Sequence, residues 1–143
     1  MQIKLKFSLV FLLLFFIFPK NGFAHEVRPG YLQIIQVTDS TYNMYWKVPR
    51  MGDKITKIQP EFSGDLDFKF LKKTKQIQGS ALYSYIIVTK DKIQGQTLNI
   101  AGLNKTLIDV LVNIEYLNGE KVTFMLQPDN ASKIISGKTK TID

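Results

Sequence analysis

The fold class that this sequence predicts is all-β, an antiparallel β-sandwich of about seven or eight short strands, and three observations predict it. Apolar side chains recur with period two along most of the chain after residue 24, which places them on one face of an extended strand. Residues that favour turns fall between those runs. Beyond residue 24 no stretch keeps a helical period over the roughly 11 residues that would argue for a helix.

The chain of 143 residues opens on a different signal. Lys4 and Lys6 precede an unbroken apolar run from Phe7 to Phe18, and Gly22 and Ala24 set small residues three and one places before a cleavage point. The run is shorter than the roughly 20 residues a helix needs to span a bilayer, and Pro19 ends it. Residues 1–24 therefore read as a cleaved signal peptide, and the mature protein is expected to begin at His25, exported to the periplasm or secreted. Residues 25–131 form the expected β-sandwich domain, and residues 132–143 a polar tail that frays.

The first strand signal is YLQIIQV, followed across Thr38-Asp39-Ser40-Thr41 by YNMYWKV, where Tyr42, Met44, Trp46 and Val48 share a face. Pro49, Gly52 and Asp53 read as the turn that closes this strand. Leu66, Phe68 and Phe70 alternate with Asp67 and Lys69, and Leu82, Ser84, Ile86 and Val88 lie opposite Tyr83, Tyr85 and Ile87. The clearest alternation is LIDVLVNIEYL: Ile108, Val110, Val112, Ile114 and Tyr116 on one face, Asp109, Asn113 and Glu115 on the other. Asn118-Gly119 then turns the chain into KVTFMLQ, an antiparallel hairpin partner whose Val122 and Phe124 should be buried.

The formal net charge of +7 falls to +4 once Lys4, Lys6 and Lys20 leave with the signal peptide. That excess is spread along the chain except at KKTK, Lys72 to Lys75, and it is too small for a nucleic-acid footprint. KKTK reads as a solvated loop, with contact to a membrane surface or an acidic partner as its functional alternative. With no cysteine in the chain, disulfides, thiolate metal sites and a cysteine nucleophile are excluded.

Little chemistry remains. A nucleophile activated by histidine needs a base placed inside the fold, whereas the single histidine is at the expected mature terminus. Asp65 and Asp67 have nothing to set them across a cleft as a catalytic carboxylate pair and read as solvated turn residues. There is no glycine-rich phosphate loop. The expectation is therefore a protein that is not an enzyme.

His25 is the one residue whose position adds chemistry to its type. As the first residue it would join a free α-amino group, pKa about 7.7 to 8.0, to an imidazole, pKa about 6.5, and the two nitrogens can chelate one metal ion. Such a pair suits Cu(II) or Ni(II). Glu26, Met44, Met51 and Met125 are candidates for a further ligand.

Three blocks in the same order, AHEVRPGYLQI, YWKVPRMGD and IAGLNKTLIDVLVNIEYLNGEKVTFMLQP, resemble the exported amino-terminal domain of HupE/UreJ-type proteins, the hydrogenase and urease accessory family. The resemblance runs from Ala24 to about Pro128. It carries over to His25, Glu26, Arg28 and Pro29, to Trp46, Pro49, Gly52 and Asp53, and to Gly102, Leu103, Thr106 and Asp109. Members of the family typically continue into a multi-helix membrane domain associated with import of nickel or other metals. No second apolar segment follows here before Asp143, so the resemblance implies the extracytoplasmic domain and not transport. Trp46 is simplest as a core residue, and an ion pair between Arg28 and Asp109 would tie the amino terminus to the longest strand.

Two functions fit these residues. The first is an exported accessory or interaction module working beside a permease-like membrane protein or another periplasmic partner that handles nickel or copper. The alternative is a small periplasmic metal carrier using the amine and imidazole of His25. The carrier makes a sharp prediction. Correctly processed protein should take up one Cu(II) or Ni(II) in a titration followed by calorimetry, more weakly as pH falls and both nitrogens protonate. One extra residue ahead of His25 should weaken uptake strongly, because it turns the amine into a peptide nitrogen while leaving the imidazole in place. Uptake that survives the extra residue would rule out the chelate.

Overall fold

The computed structural model describes residues 28–77 and 79–137, with residues 72–76 described by their backbone alone. The expected signal peptide, His25 and Glu26 lie outside the described residues, as do residues 138–143. Ten strands follow one another: β1 Gly30–Thr38, β2 Thr41–Met51, β3 Lys54–Ile55, β4 Gln59–Phe62, β5 Leu66–Ile77, β6 Ser80–Thr89, β7 Thr97–Ala101, β8 Val110–Glu115, β9 Lys121–Leu126 and β10 Ser132–Ile134. A 3-10 turn, Leu103–Lys105, lies between β7 and β8.

Two sheets share one core. The larger runs β5-β6-β2-β1-β8-β9, with β3 hairpinned onto the end of β2, and the smaller runs β10-β7-β4. The predicted all-β, two-sheet architecture is present, but it is not wholly antiparallel: β1 and β8 pair in parallel. Between β6 and β8 the chain crosses to the small sheet through β7 and returns. It therefore enters β8 from the end at which β1 starts. The extra strands beyond the predicted count are β3, β4 and β10, which at two to four residues are too short to display a period.

The alternation becomes a set of cross-strand rows. Leu32 of β1 sits between Trp46 of β2 and Val112 of β8, and Ile34 sits between Met44 and Ile114. On β9, Phe124 and Val122 continue the same rows. All of these are buried, as are Tyr42, Val48, Ile108, Val110 and Tyr116. Each such side chain stabilises the fold by about 1.5 to 3 kcal/mol relative to leaving it in water. From the small sheet, β7 contributes Leu98 and Ile100, and the connecting segments contribute Ile58, Ile93, Leu103 and Ile135.

Three local readings change. Residues 132–143 were expected to fray from Ser132, yet Ser132–Ile134 pair with β7 and Ile135 is fully buried. The Ile135 N–H donates to the Gln96 carbonyl at 2.8 Å and its carbonyl accepts the Gly95 N–H at 2.8 Å, so one apolar side chain and two hydrogen bonds hold this segment against an otherwise polar sequence. Pro49 was expected in a turn; β2 runs through it to Met51, and only Gly52 and Asp53 turn. The Pro49 carbonyl accepts from the Thr56 N–H at 3.2 Å and from the Thr56 hydroxyl at 2.8 Å. KKTK belongs to the long strand β5 rather than to a loop.

The Asn118-Gly119 hairpin forms as expected, with Val110 opposite Leu126 and Glu115 opposite Lys121. Its connection is Leu117 to Gly119, closed by the Tyr116 N–H donating to Glu120 at 2.8 Å and the Gly119 N–H donating to Tyr116 at 2.9 Å. Gly119 takes the positive φ, 85°, and the Asn118 side chain accepts from the Glu120 N–H at 3.0 Å. Gly102 is needed for a different reason: at φ 80° a Cβ would lie 2.5 Å from the Lys57 carbonyl oxygen, so only glycine lets the 3-10 turn pack on the segment before β4.

Two buried tyrosines close one end of the core. Burial pushes the Tyr116 hydroxyl up to about 12, with Tyr42 and then Glu120 adding to the effect, and burial likewise raises Tyr42. The Tyr116 hydroxyl donates to the Ser136 carbonyl at 3.3 Å. A tyrosine whose folded pKa exceeds the unfolded value of about 10 contributes stability that is complete below that value and lost as pH rises towards 12. Urea denaturation should therefore show stability falling between pH 10 and 12, with Tyr116 accounting for on the order of 2 kcal/mol. In Tyr116→Phe that part of the fall should disappear.

Candidate functional site

The face of β5 that carries Phe68 and Phe70 is on the core side of the large sheet. Phe68 pairs with Ile87 and Phe70 with Tyr85 on β6, and Tyr85 in turn pairs with Met44 on β2. Yet Phe68 is 39 % and Phe70 55 % exposed. The cause is coverage, since three strands cannot cover six. At the far edge β10 reaches β9, placing the Lys133 ammonium 5.1 Å from the centre of the Phe124 ring. At the near edge β4 ends with Phe62, whose ring lies 5.9 Å from that of Phe68. Phe70 lies farther out on β5, with its ring against that of Tyr85.

This incomplete cover leaves a cleft of about 350 Å³ between the sheets. Its floor is Met44, Trp46 and Val48 of β2. One wall is Tyr83 and Tyr85 of β6 with Phe68 of β5, and the other is the segment Ile55, Thr56, Ile58, Gln59 and Pro60. The aromatic wall is organised by edge contacts: Phe68 stands at 89° to Tyr85 with centroids 6.4 Å apart, and Phe70 is tilted at 60° with centroids 5.4 Å apart. Such pairs add about 0.5 to 1.5 kcal/mol beyond the area they bury and hold the rings in place.

The lining contains no carboxylate, ammonium, guanidinium or imidazole. Burial, followed by the nearby Tyr83, raises the Tyr85 hydroxyl above its ordinary value, so it stays neutral. The Thr56 hydroxyl is engaged with the Pro49 carbonyl. A site of this kind offers ring faces, a methionine sulfur and shape; it can seat a flat or branched apolar group of about the size of one side chain. It has no group suited to take or give a proton near neutral pH.

The residues singled out from the sequence are mostly elsewhere. Trp46 lines the cleft floor while remaining a core residue, 3 % exposed. Its ring lies against Gly30, where a Cβ would come within 3.4 Å of the indole. Beside the expected Arg28–Asp109 pair, the backbone ties the same two segments: the Gly30 N–H donates to the Asp109 carbonyl at 2.8 Å. The Arg28 guanidinium lies over Gly79 at the turn between β5 and β6. Asp53 sits in the turn after β2, and its carbonyl accepts from Arg50 at 2.7 Å. Asp53 and Asp109 lie near the end of the large sheet at which β1 starts, and each accepts a hydrogen bond through its backbone carbonyl. Among the described residues no group of three or more histidine, cysteine or acidic side chains is placed to hold a metal ion.

No family model matches the chain, and no curated protein matches it. The cleft was missed in the sequence because period-two alternation reports which residues share a face, not whether another layer covers it. A comparison of two rings separates packing from exposure. In urea denaturation, Trp46→Ala should cost about 3 to 5 kcal/mol, whereas Phe70→Ala should cost less than about 1 kcal/mol. Equal costs would mean that Phe70 is part of the core.

Proposed function

We propose that the chain is an exported accessory or interaction module without catalytic activity, akin to the extracytoplasmic part of HupE/UreJ-type proteins, which grips a membrane or metal-handling partner at the aromatic cleft. The observation that carries this reading is the cleft itself, preformed, neutral and bordered by exposed phenylalanines. Exposed aromatic side chains beside a pocket are the usual anchors of protein recognition. A neutral lining favours binding over acid–base chemistry. The order of the three sequence blocks and the charged run-in ahead of the apolar leader support the place of action, outside the cytoplasm and next to a membrane protein that handles nickel or copper.

The test is photocrosslinking in cells. A benzophenone amino acid at position 70 should give one dominant adduct with a partner protein. The same group at position 107, where Leu107 is 85 % exposed but outside the cleft lining, should not give it. Adducts of equal yield and identity at both positions, or none at position 70, would defeat the proposal.

A further inference from the structure

We infer that the free edge of β5 receives an extended acidic and apolar segment of the partner protein as an added antiparallel or parallel strand, an inference that rests on the reading of the cleft as a binding site. β5, Leu66–Ile77, is the longest strand and ends the large sheet. One side of its backbone pairs with β6, and among the described residues no strand pairs with the other. Half of its N–H and C=O groups therefore point outwards as a template for another strand.

The other edges are shorter. β4 and β10 are four and three residues long, and β9 has six residues against twelve in β5. β5 has guards of its own, lysines and two register shifts, between Phe70 and Lys72 and between Thr74 and Ile77, so the regular stretch open to an added strand is Leu66 to Phe70, where Phe68 and Phe70 are exposed.

Charge decides what the occupant is. Between Leu66 and Ile77 the strand carries Lys69, Lys72, Lys73 and Lys75 against Asp67 alone. A second copy pairing edge to edge would set this positive run against itself, which is unfavourable. A strand carrying glutamate or aspartate opposite Lys69 places opposite charges across the new ladder, and its neighbouring apolar side chains fall beside Phe68 and Phe70. Phe68 belongs both to the edge strand and to the cleft wall. An aromatic side chain of the added strand at that level therefore borders the cleft mouth, so strand pairing supplies affinity and the cleft supplies selection.

The experiment uses residues 25–143 and a synthetic ten-residue peptide alternating glutamate with valine and phenylalanine. Binding is followed by the emission of Trp46, the single tryptophan of the chain, and by amide hydrogen exchange. The peptide should slow exchange along β5 and leave β9 unchanged. N-methylation of alternate peptide nitrogens should weaken binding about tenfold or more by removing ladder hydrogen bonds. A lysine-for-glutamate peptide should not bind, and Lys69→Glu should weaken binding of the acidic peptide several-fold, about three to ten times.

Equal binding of the N-methylated peptide, protection at β9, or no binding of the acidic peptide up to millimolar concentration overturns the inference. So does a stable dimer joined through β5, or binding to phosphatidylserine vesicles with which the peptide does not compete. The two proposals fail separately. A crosslink at position 70 without protection of β5 keeps the cleft as a binding site and removes the added strand. Protection of β5 by the peptide without any cellular crosslink does the reverse.

Discussion

The parallel pairing of β1 with β8 is the constraint on which the rest of the molecule depends. It joins residues about 80 positions apart, from Gly30 beside Val110 to Ile35 beside Glu115. Without it the chain is two separate hairpin systems, β1-β2 with β6 and β5 on one side and β8-β9 on the other. Neither could bury its apolar face alone. The pairing is closed at both ends: the Gly30 N–H reaches the Asp109 carbonyl at 2.8 Å, and beyond the last pair the Gln36 side chain accepts from the Leu117 N–H at 3.1 Å. Closing so long a loop carries a substantial entropic cost. It is offset by the rows Leu32 with Val112 and Ile34 with Ile114, which are formed in no other register, since a slip of one residue would turn each onto the opposite face.

Once β1 and β8 are neighbours, the position of the small sheet follows. The crossover that makes the pairing parallel has to pass over the core face, and it does so as β7, which places Leu98 and Ile100 onto the rows below. β10 and β4 flank β7, so the cover is centred on the middle of the large sheet and its width is set by three strands. The edge near β9 falls within reach of β10, and the edge at β5 falls outside reach of β4 beyond Phe62 and Phe68. The cleft is thus a consequence of the same crossover that builds the core.

What could be read from the sequence was local. In β2 and β8 a strict alternation of large apolar side chains, Tyr42 to Val48 and Ile108 to Tyr116, identified faces that are buried without exception, because long strands in the centre of a sheet have only one way to satisfy that pattern. Asn118-Gly119 marked the hairpin between β8 and β9. The parallel pairing left no local trace, since it depends on where β7 carries the chain. β10 was hidden in a tail rich in polar residues, where Ile135, fully buried, stands beside an exposed isoleucine, Ile134, and no alternation marks it. The alternation of Leu66, Phe68 and Phe70 looked no different from that of a core strand, and only the width of the covering layer leaves it half exposed.

That equivalence in sequence explains how a core and a binding surface can be made from one kind of residue. Trp46 and Phe70 belong to the same side of the same sheet, separated by β6 alone. Trp46 is held by Gly30 behind it and by Tyr83 beside it in the sheet, so its ring is fixed before any ligand arrives. Phe70 has Tyr85 on one side and solvent on the other. A floor fixed by the core and a rim left free at the edge give a site whose shape requires little reorganisation on binding, which lowers the ordering cost of association. No charge lies in the lining and the lysines lie along β5, so in the binding proposed above fit would be judged inside the cleft and charge read at its border. A partner would have to satisfy both at once, and an apolar group without acidic flanks, or an acidic strand without the apolar group, would satisfy only one.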